Sequence, residues 1–142
     1  MTAAVTSFVL DSFALLAFFQ AEPGGLRVRQ LLEQAVRGET ILTITAVNLG
    51  EVAYRTERQY GLERAQEVLA RIEEYPLEVV DVDRELALGA AHLKARYRMA
   101  YADCLAAALT RHLSATLVTG DPEFRQVEGL VAIEWLKADD AT

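Results

Sequence analysis

The chain has 142 residues, 52% of them hydrophobic, which predicts one folded domain spanning residues 1–142 and argues against disorder. The net charge of −7 is unusual for a nucleic-acid binder, and a bound metal cation is the obvious way for such an acidic chain to hold phosphate. Alternatively, a basic partner protein could neutralise this charge. The single cysteine, Cys104, excludes an intrachain disulfide, and no signal peptide or apolar run of about 18 residues is present. We therefore expect a soluble, cytoplasmic protein.

Hydrophobic spacing in the first half of the chain predicts two strands and three helices. Phe8–Leu10 predicts a buried strand that ends at Asp11, and the helix after it stops at the breaker 22–25. A second helix precedes Gly38, and the β-branched run Thr40–Ile44 predicts the second strand. Thr45 then serves as the N-cap of a helix ending near Gly61.

The second half of the chain predicts three more strands separated by helices. Ala65, Val68, Leu69 and Ile72 mark a helix that Pro76 closes. The strands are expected at Leu77–Val82, Thr116–Thr119 and Val131–Trp135, with a helix capped by Asp83, a helix containing Leu105 and Leu109, and a turn at Asp121-Pro122 between them. This alternation favours an α/β fold with a parallel sheet between two layers of helices, in which ligands bind beyond the carboxyl ends of the strands.

Four acidic residues are expected near that edge of the sheet. Asp11 follows the first strand and Asp121 the fourth. Glu51 lies in the helix after the second strand, one helical turn beyond Asn48. Asp103 is near the start of the helix that leads into the fourth strand, so the chain returns to the same edge.

Each acid also has a purely structural interpretation. Asp11 could cap the next helix, Asp121 could be a turn residue before Pro122, and Glu51 could lie on a solvated helix face. Asp103 is the hardest to explain in this way, because its apolar surroundings in the sequence would leave a charge buried without a partner.

Converging acids need a cation. Two carboxylates about 4 Å apart repel by roughly 4 kcal/mol at an effective dielectric constant near 20. Hard oxygen ligands suit Mg²⁺ or Mn²⁺, whereas the lone cysteine and the widely separated His92 and His112 do not form a zinc pattern. Neither a phosphate-binding Gly-rich loop nor a Gly-x-Ser-x-Gly elbow is present, and Cys104 is expected in the core.

Four segments of the chain match a known family in register: Val9-Leu10-Asp11-Ser12, Thr45 to Val52, Ala102 to Leu109, and Thr119-Gly120-Asp121-Pro122-Glu123-Phe124. Through them the sequence resembles the PIN-domain nucleases over nearly its whole length, and within them the VapC-type toxins of toxin–antitoxin pairs. The resemblance implies strand order 3-2-1-4-5 and a Mg²⁺- or Mn²⁺-dependent endoribonuclease. The acids implied as metal-binding and catalytic are Asp11, Glu51, Asp103 and Asp121, supported by Ser12, Asn48 and Thr119, with Glu123 able to replace or assist Asp121.

The resemblance also implies partners. An RNA substrate, a VapB-like antitoxin and a second copy of the chain are expected. Candidates for gripping phosphates are Arg55, Arg58, Lys94, Arg96, Arg98 and Arg125, although each could equally be a solvated helix residue. Candidate dimer or antitoxin surfaces include Phe18, Phe19, Leu31, Leu32, Tyr54 and Tyr60, some of which are expected to be core. A catalytically silent scaffold, a DNA nuclease and a metal-dependent phosphatase remain alternatives, since the sequence does not reveal a reader of the 2′-hydroxyl.

Overall fold

A parallel sheet of five strands forms the centre of the protein in a computed structural model that describes residues 5–137. The strands are β1 (Thr6–Leu10), β2 (Thr40–Thr45), β3 (Leu77–Val80), β4 (Thr116–Thr119) and β5 (Ala132–Trp135). Their order is β3-β2-β1-β4-β5, and every neighbouring pair is parallel. The predicted α/β class, parallel sheet and strand order are confirmed.

Six α-helices and one 3₁₀ helix connect the strands of the described chain. They are α1 (Ser12–Phe19), α2 (Gly25–Val36), α3 (Ala46–Tyr60), α4 (Leu62–Glu73), α5 (Arg84–Arg96), α6 (Tyr101–Leu113) and the 3₁₀ helix Pro122–Val127. Side-chain caps explain several of these starts, since Asp11, Thr45 and Asp83 each accept a hydrogen bond from the backbone amide three residues later. None of the helices in residues 5–137 is long and apolar enough to cross a membrane.

Hydrophobic clusters lie on both faces of the sheet because neighbouring residues of a strand point in opposite directions. Leu10 packs with side chains of α1, α2, α3 and α4, whereas Val9 packs with those of α5 and α6, including Cys104. Leu31 and Leu32 are 0% and 2% exposed in the first cluster. Their proposed place on a dimer surface is therefore wrong: their helix face packs against the sheet and forms core.

Two predicted boundaries differ from the structure for identifiable reasons. β3 ends at Val80 rather than Val82, because its pairing partner β2 ends at Thr45, where α3 begins. The segment expected to turn at Asp121-Pro122 instead starts the 3₁₀ helix, with proline in its first turn. The register pairs Leu10 with Val118 and Thr45 with Val80, so the carboxyl ends of β1, β2 and β4 share one edge.

Candidate metal centre

Asp11 lies at the end of β1 and is the most deeply buried of the candidate acids, with 1% of its surface exposed. One carboxylate oxygen, Oδ1, accepts the Ala14 amide at 2.9 Å and caps α1. The other, Oδ2, accepts the Thr119 hydroxyl at 2.5 Å. Burial raises the pKa of Asp11 from 3.8 to about 7, the two hydrogen bonds oppose this rise, and the nearby charges of Asp121 and Glu51 add to it. Asp11 thus caps α1 and also lies close to other acids of the site.

The end of β4 supports this carboxylate and presents a second one. Thr119 Oγ1, which donates to Asp11, also accepts the Asp121 amide at 3.1 Å. The Asp121 carboxylate accepts the Glu123 amide at 3.0 Å and caps the 3₁₀ helix. Gly120 lies between them in a close approach, since a Cβ atom there would be 2.3 Å from Cε1 of Phe13. The sequence Thr-Gly-Asp therefore fixes the position at which Asp121 leaves the sheet.

Glu51 is held by a buried amide one helical turn earlier. Asn48 is 0% exposed, and its Nδ2 donates to Glu51 Oε1 and to the Ala102 carbonyl, both at 3.2 Å. Thr45 accepts the Asn48 amide at 3.0 Å and fixes the start of α3. The carbonyl of Ala102 directly precedes Asp103, so Asn48 joins the helices that carry two of the acids.

Asp103 lies in the first turn of α6 and is half-buried. Its pKa is raised from 3.8 to about 7, chiefly by desolvation and then by the charges of Asp121, Asp11 and Glu51, in that order. A hydrogen bond with Glu123 acts in the same direction. The electrostatic influence of Asp11, Glu51 and Asp121 on one carboxyl shows that the fold brings the four predicted acids into one neighbourhood.

The tightest carboxylate group consists of Asp103, Asp121 and Glu123. One oxygen from each lies within 4.8 Å of the others. Asp11 and Glu51 stand outside this group of three but influence the pKa values of their neighbours. Glu123, which was expected to replace or assist Asp121, thus lies beside Asp103 together with Asp121.

The donor chemistry fits a divalent cation. All the converging side chains are carboxylates, and two of them have pKa values raised to about 7, first by burial and then by the charges of their neighbours. Such an oxygen set suits Mg²⁺ or Mn²⁺. Asp11, Glu51, Asp103, Asp121 and Glu123 are the residues that would hold it.

The other predicted residues have less uniform surroundings. Ser12 is buried as the first residue of α1, next to Asp11. Arg55 reaches Glu51 at 3.9 Å, Arg58 stacks on Tyr54, and Arg125 stacks on Trp135. Lys94 donates to the Met99 carbonyl. All six basic residues are exposed, and the side chains of four of them contact other groups of the chain.

Comparison with known proteins identifies the family. The sequence profile of the PIN domain matches residues 8–130, which contain all the candidate acids. The chain belongs to the PIN domain family. Among proteins with curated descriptions, none matches the sequence significantly.

Solved structures of similar fold include two VapBC complexes and a VapC toxin. VapBC2 from Rickettsia felis bound to a promoter DNA fragment matches with TM-score 0.73 and 18% identity over 93% of this chain and 100% of that chain. DNA-bound VapBC from Salmonella typhimurium gives 0.72 and 20%, over 94% and 100%. VapC20 from Mycobacterium tuberculosis, a toxin that cleaves the sarcin–ricin loop, gives 0.68 and 16%, over 84% and 94%. At these identities the likeness concerns the fold.

Sequence reasoning missed contacts that join distant segments. The hydrogen bond from Asn48 to Ala102 spans 54 residues, and Gln126 bonds to Arg98 across 28 residues. Neither pair carries a local sequence signal. The Thr45–Asn48 contact, by contrast, follows from the helix-capping pattern that the sequence shows.

Proposed function

We propose that this PIN domain is a metal-dependent endoribonuclease and the toxin of a toxin–antitoxin pair acting in the cytoplasm. The observation that carries the proposal is the convergence of Asp11, Glu51, Asp103 and Asp121 at the carboxyl edge of the sheet. A structural role alone does not account for it, because two of these carboxyls have pKa values raised to about 7. A silent scaffold would have no need to retain this set of acids.

The acids divide the work according to their surroundings. Asp11 is fixed by two hydrogen bonds and has little freedom to move, so it anchors the cation. Asp103 and Asp121 complete the binding site, and Glu51 is oriented toward it by Asn48. Mg²⁺ or Mn²⁺, when bound, supplies Lewis acidity at a phosphate oxygen and acidifies a water for in-line attack on phosphorus.

Substrate phosphates need positive charge that the acidic chain as a whole does not supply. Arg96 and Arg98 are exposed, and Arg98 adjoins the 3₁₀ helix that carries Glu123 through its contact with Gln126. Arg98 and Arg55, which reaches Glu51 at 3.9 Å, are therefore our candidates for gripping substrate phosphates. Because the chain carries a net charge of −7, the cation is the main attraction for phosphate.

A VapB-like antitoxin and a second copy of the chain are the proposed protein partners. The similar structures from Rickettsia felis and Salmonella typhimurium are VapBC complexes bound to DNA. In this chain, Tyr54 and Tyr60 of α3 are 43% and 53% exposed, and Leu62 of α4 is 56% exposed. Aromatic side chains left in solvent are typical of protein interfaces.

Cleavage of a single-stranded RNA with Mn²⁺, Mg²⁺ or EDTA tests the catalytic part of the proposal. We expect cleavage with either cation and none with EDTA, and we expect Asp103→Asn to remove activity without unfolding the protein. Asp81→Asn, which changes an exposed acid after β3, is the matched control and should cleave normally. Full activity of Asp103→Asn would exclude that residue from the mechanism, and cleavage of DNA but not RNA would reassign the substrate.

Expression in the host tests the toxin part separately. Growth should stop when the chain is expressed alone and recover when the neighbouring upstream gene is co-expressed. The two products should co-purify, and the isolated chain should elute as a dimer. A harmless, monomeric chain that binds no such neighbour would contradict the toxin assignment while leaving nuclease activity to the first assay.

A further inference from the structure

The side-chain amide of Gln126 bridges two segments of the proposed metal centre. Its Oε1 accepts the Arg98 amide at 3.1 Å, and its Nε2 donates to the Arg98 carbonyl, also at 3.1 Å. Nε2 additionally donates to the carbonyl of Glu123 at 3.2 Å. One side chain therefore pairs with both polar groups of a residue in the α5–α6 loop, as a neighbouring β-strand would, while it belongs to the 3₁₀ helix.

The two bridged segments carry the tight carboxylate group. The α5–α6 loop leads into α6, whose first turn contains Asp103, and the 3₁₀ helix contains Glu123 and is capped by Asp121. Ala100 provides no side-chain cap for α6. The 3₁₀ helix is capped by Asp121 but has only six residues, with the weaker hydrogen-bond geometry of its type. Met99, Phe124 and Val127 anchor both segments in one core cluster. Because apolar packing has no preferred direction, the spacing of the two segments also depends on directional polar contacts between them.

Like charges on these segments repel, because Asp103 lies within 4.8 Å of Asp121 and Glu123. The hydrogen bond between Asp103 and Glu123 joins the same segments, but through carboxyls that would bind the cation. Contacts of the loop and of the start of α6 lead back to α5: Lys94 donates to the Met99 carbonyl and Tyr101 to the Ala87 carbonyl, each at 2.7 Å. These two contacts do not oppose separation from the 3₁₀ helix. The Gln126 amide acts across that gap through groups other than the acids themselves.

We propose that Gln126 is a positioning residue of the metal centre, whose amide holds Asp103 at the spacing from Asp121 and Glu123 that a divalent cation requires. The inference rests on the proposed function, because it assigns a purpose to the bridge only if the acids bind a cation. Residues that orient metal ligands from outside typically contribute 10–100-fold to metal affinity. Because Gln126 acts through the backbone, we expect about the lower end of this range, tenfold.

Gln126→Met keeps the length of the side chain and removes its amide, and Gln66→Met makes the same change at an exposed position of α4. Calorimetric titration with Mn²⁺ should give a dissociation constant about tenfold higher for Gln126→Met and an unchanged one for Gln66→Met. Amide hydrogen exchange of Arg98 in EDTA should accelerate in Gln126→Met. At saturating Mn²⁺ the cleavage rate should return close to that of the wild type, because the acids themselves are intact. Gln126→Asn, a neutral amide too short for the bridge, should behave like Gln126→Met and replaces it if the methionine variant does not fold.

The outcomes separate this inference from the proposed function. Unchanged Mn²⁺ affinity in the Gln126 variants, while the wild type binds Mn²⁺ and cleaves RNA, would overturn the positioning role alone. A lower saturated rate at unchanged affinity would overturn it as well. A wild-type chain that shows no affinity for Mn²⁺ would overturn both proposals. Weakened binding with faster Arg98 exchange, absent from Gln66→Met, supports the positioning role.

Discussion

Replacement of Asp11 by asparagine should stabilise the metal-free protein at pH 8, although Asp11 belongs to the proposed metal centre. Burial raises the pKa of this carboxyl from 3.8 to about 7. Between these pH values the folded protein keeps a proton that the unfolded chain has lost. The free energy of unfolding therefore falls by about 1.4 kcal/mol for each pH unit in that range. The stabilising contribution is complete below pH 3.8 and lost above about pH 7.

The full cost of ionising Asp11 in the folded state is of the order of 4 kcal/mol, as an upper value. Asparagine avoids this cost and keeps the contacts. Its carbonyl oxygen can accept the Ala14 amide, and its NH₂ group can donate to Thr119 Oγ1, because a hydroxyl has two acceptor sites. The advantage of Asp11→Asn over the wild type should therefore grow by about 2–3 kcal/mol between pH 5 and pH 8.

Urea unfolding followed by circular dichroism, in EDTA at pH 5, 6, 7 and 8, measures this difference. Asp81→Asn, which removes an exposed carboxylate, should retain the pH dependence of the wild type. Saturating Mn²⁺ should reverse the order at pH 8, because it stabilises the wild type and not Asp11→Asn. If the free energy of unfolding changed with pH in the same way for Asp11→Asn and the wild type, the reasoning would be refuted. The result would mean that folding does not raise the pKa of Asp11.

Three further substitutions test the supports of the site. Thr119→Val removes the hydroxyl that lowers the pKa of Asp11, so the stability loss in the same urea experiment should move to higher pH; a move to lower pH would contradict this. Gly120→Ala places a Cβ atom 2.3 Å from the Phe13 ring and should weaken Mn²⁺ binding in calorimetry, whereas adding Phe13→Leu should restore it; failure of the restoration would exclude this clash as the cause. Asn48→Ala removes the hydrogen bonds that the Asn48 amide donates to Glu51 and to the Ala102 carbonyl. It should lower the free energy of unfolding, measured in urea at pH 7, by about 2–3 kcal/mol. A loss well under about 1 kcal/mol would count against a structural role for the amide.

The fold was largely predictable because its local signals agree. β-branched runs at β2 and β4 and the caps Thr45 and Asp83 mark the elements where the structure has them. The errors arose where tertiary pairing decides. Leu77–Val82 is a continuous apolar pattern interrupted only by acids, yet the strand stops at Val80 because β2 offers no further partner. A sequence pattern describes a single segment, whereas a β-strand forms only where a neighbouring strand is available to pair with it.

Burial of individual helix faces was harder to predict. Leu31 and Leu32 lie on the same helix as exposed charged residues, and the sequence does not tell whether such a face meets the sheet or a second chain. In the structure both pack in the core cluster, whereas Tyr54 and Tyr60 on α3 are exposed. An amphipathic pattern therefore predicts that a face is covered, but not by what.

The candidate site was predictable in its acids and not in its supports. Asp11 and Asp121 were indicated by their positions at the ends of predicted strands. Asp103 was indicated by a charged residue within an apolar stretch of sequence. The contacts that orient them connect residues far apart in sequence: Thr119 with Asp11, Asn48 with Ala102, and Gln126 with Arg98. These depend on side-chain geometry that exists only after the sheet has assembled.

The same features that destabilise this site without a cation would make it bind one. Asp11 accepts two hydrogen bonds, yet burial still raises its pKa to about 7, and Asp103 reaches about 7 while it adjoins Asp121 and Glu123. A divalent cation neutralises the repulsion between the carboxylates and replaces their lost hydration with coordination. The same charges that lower the stability of the metal-free protein therefore strengthen cation binding. Near neutral pH the cation competes with protons at these two carboxyls, so its affinity should rise as pH increases through 7. Buried and clustered carboxyls that lower the stability of a protein are therefore expected at a site where a cation binds.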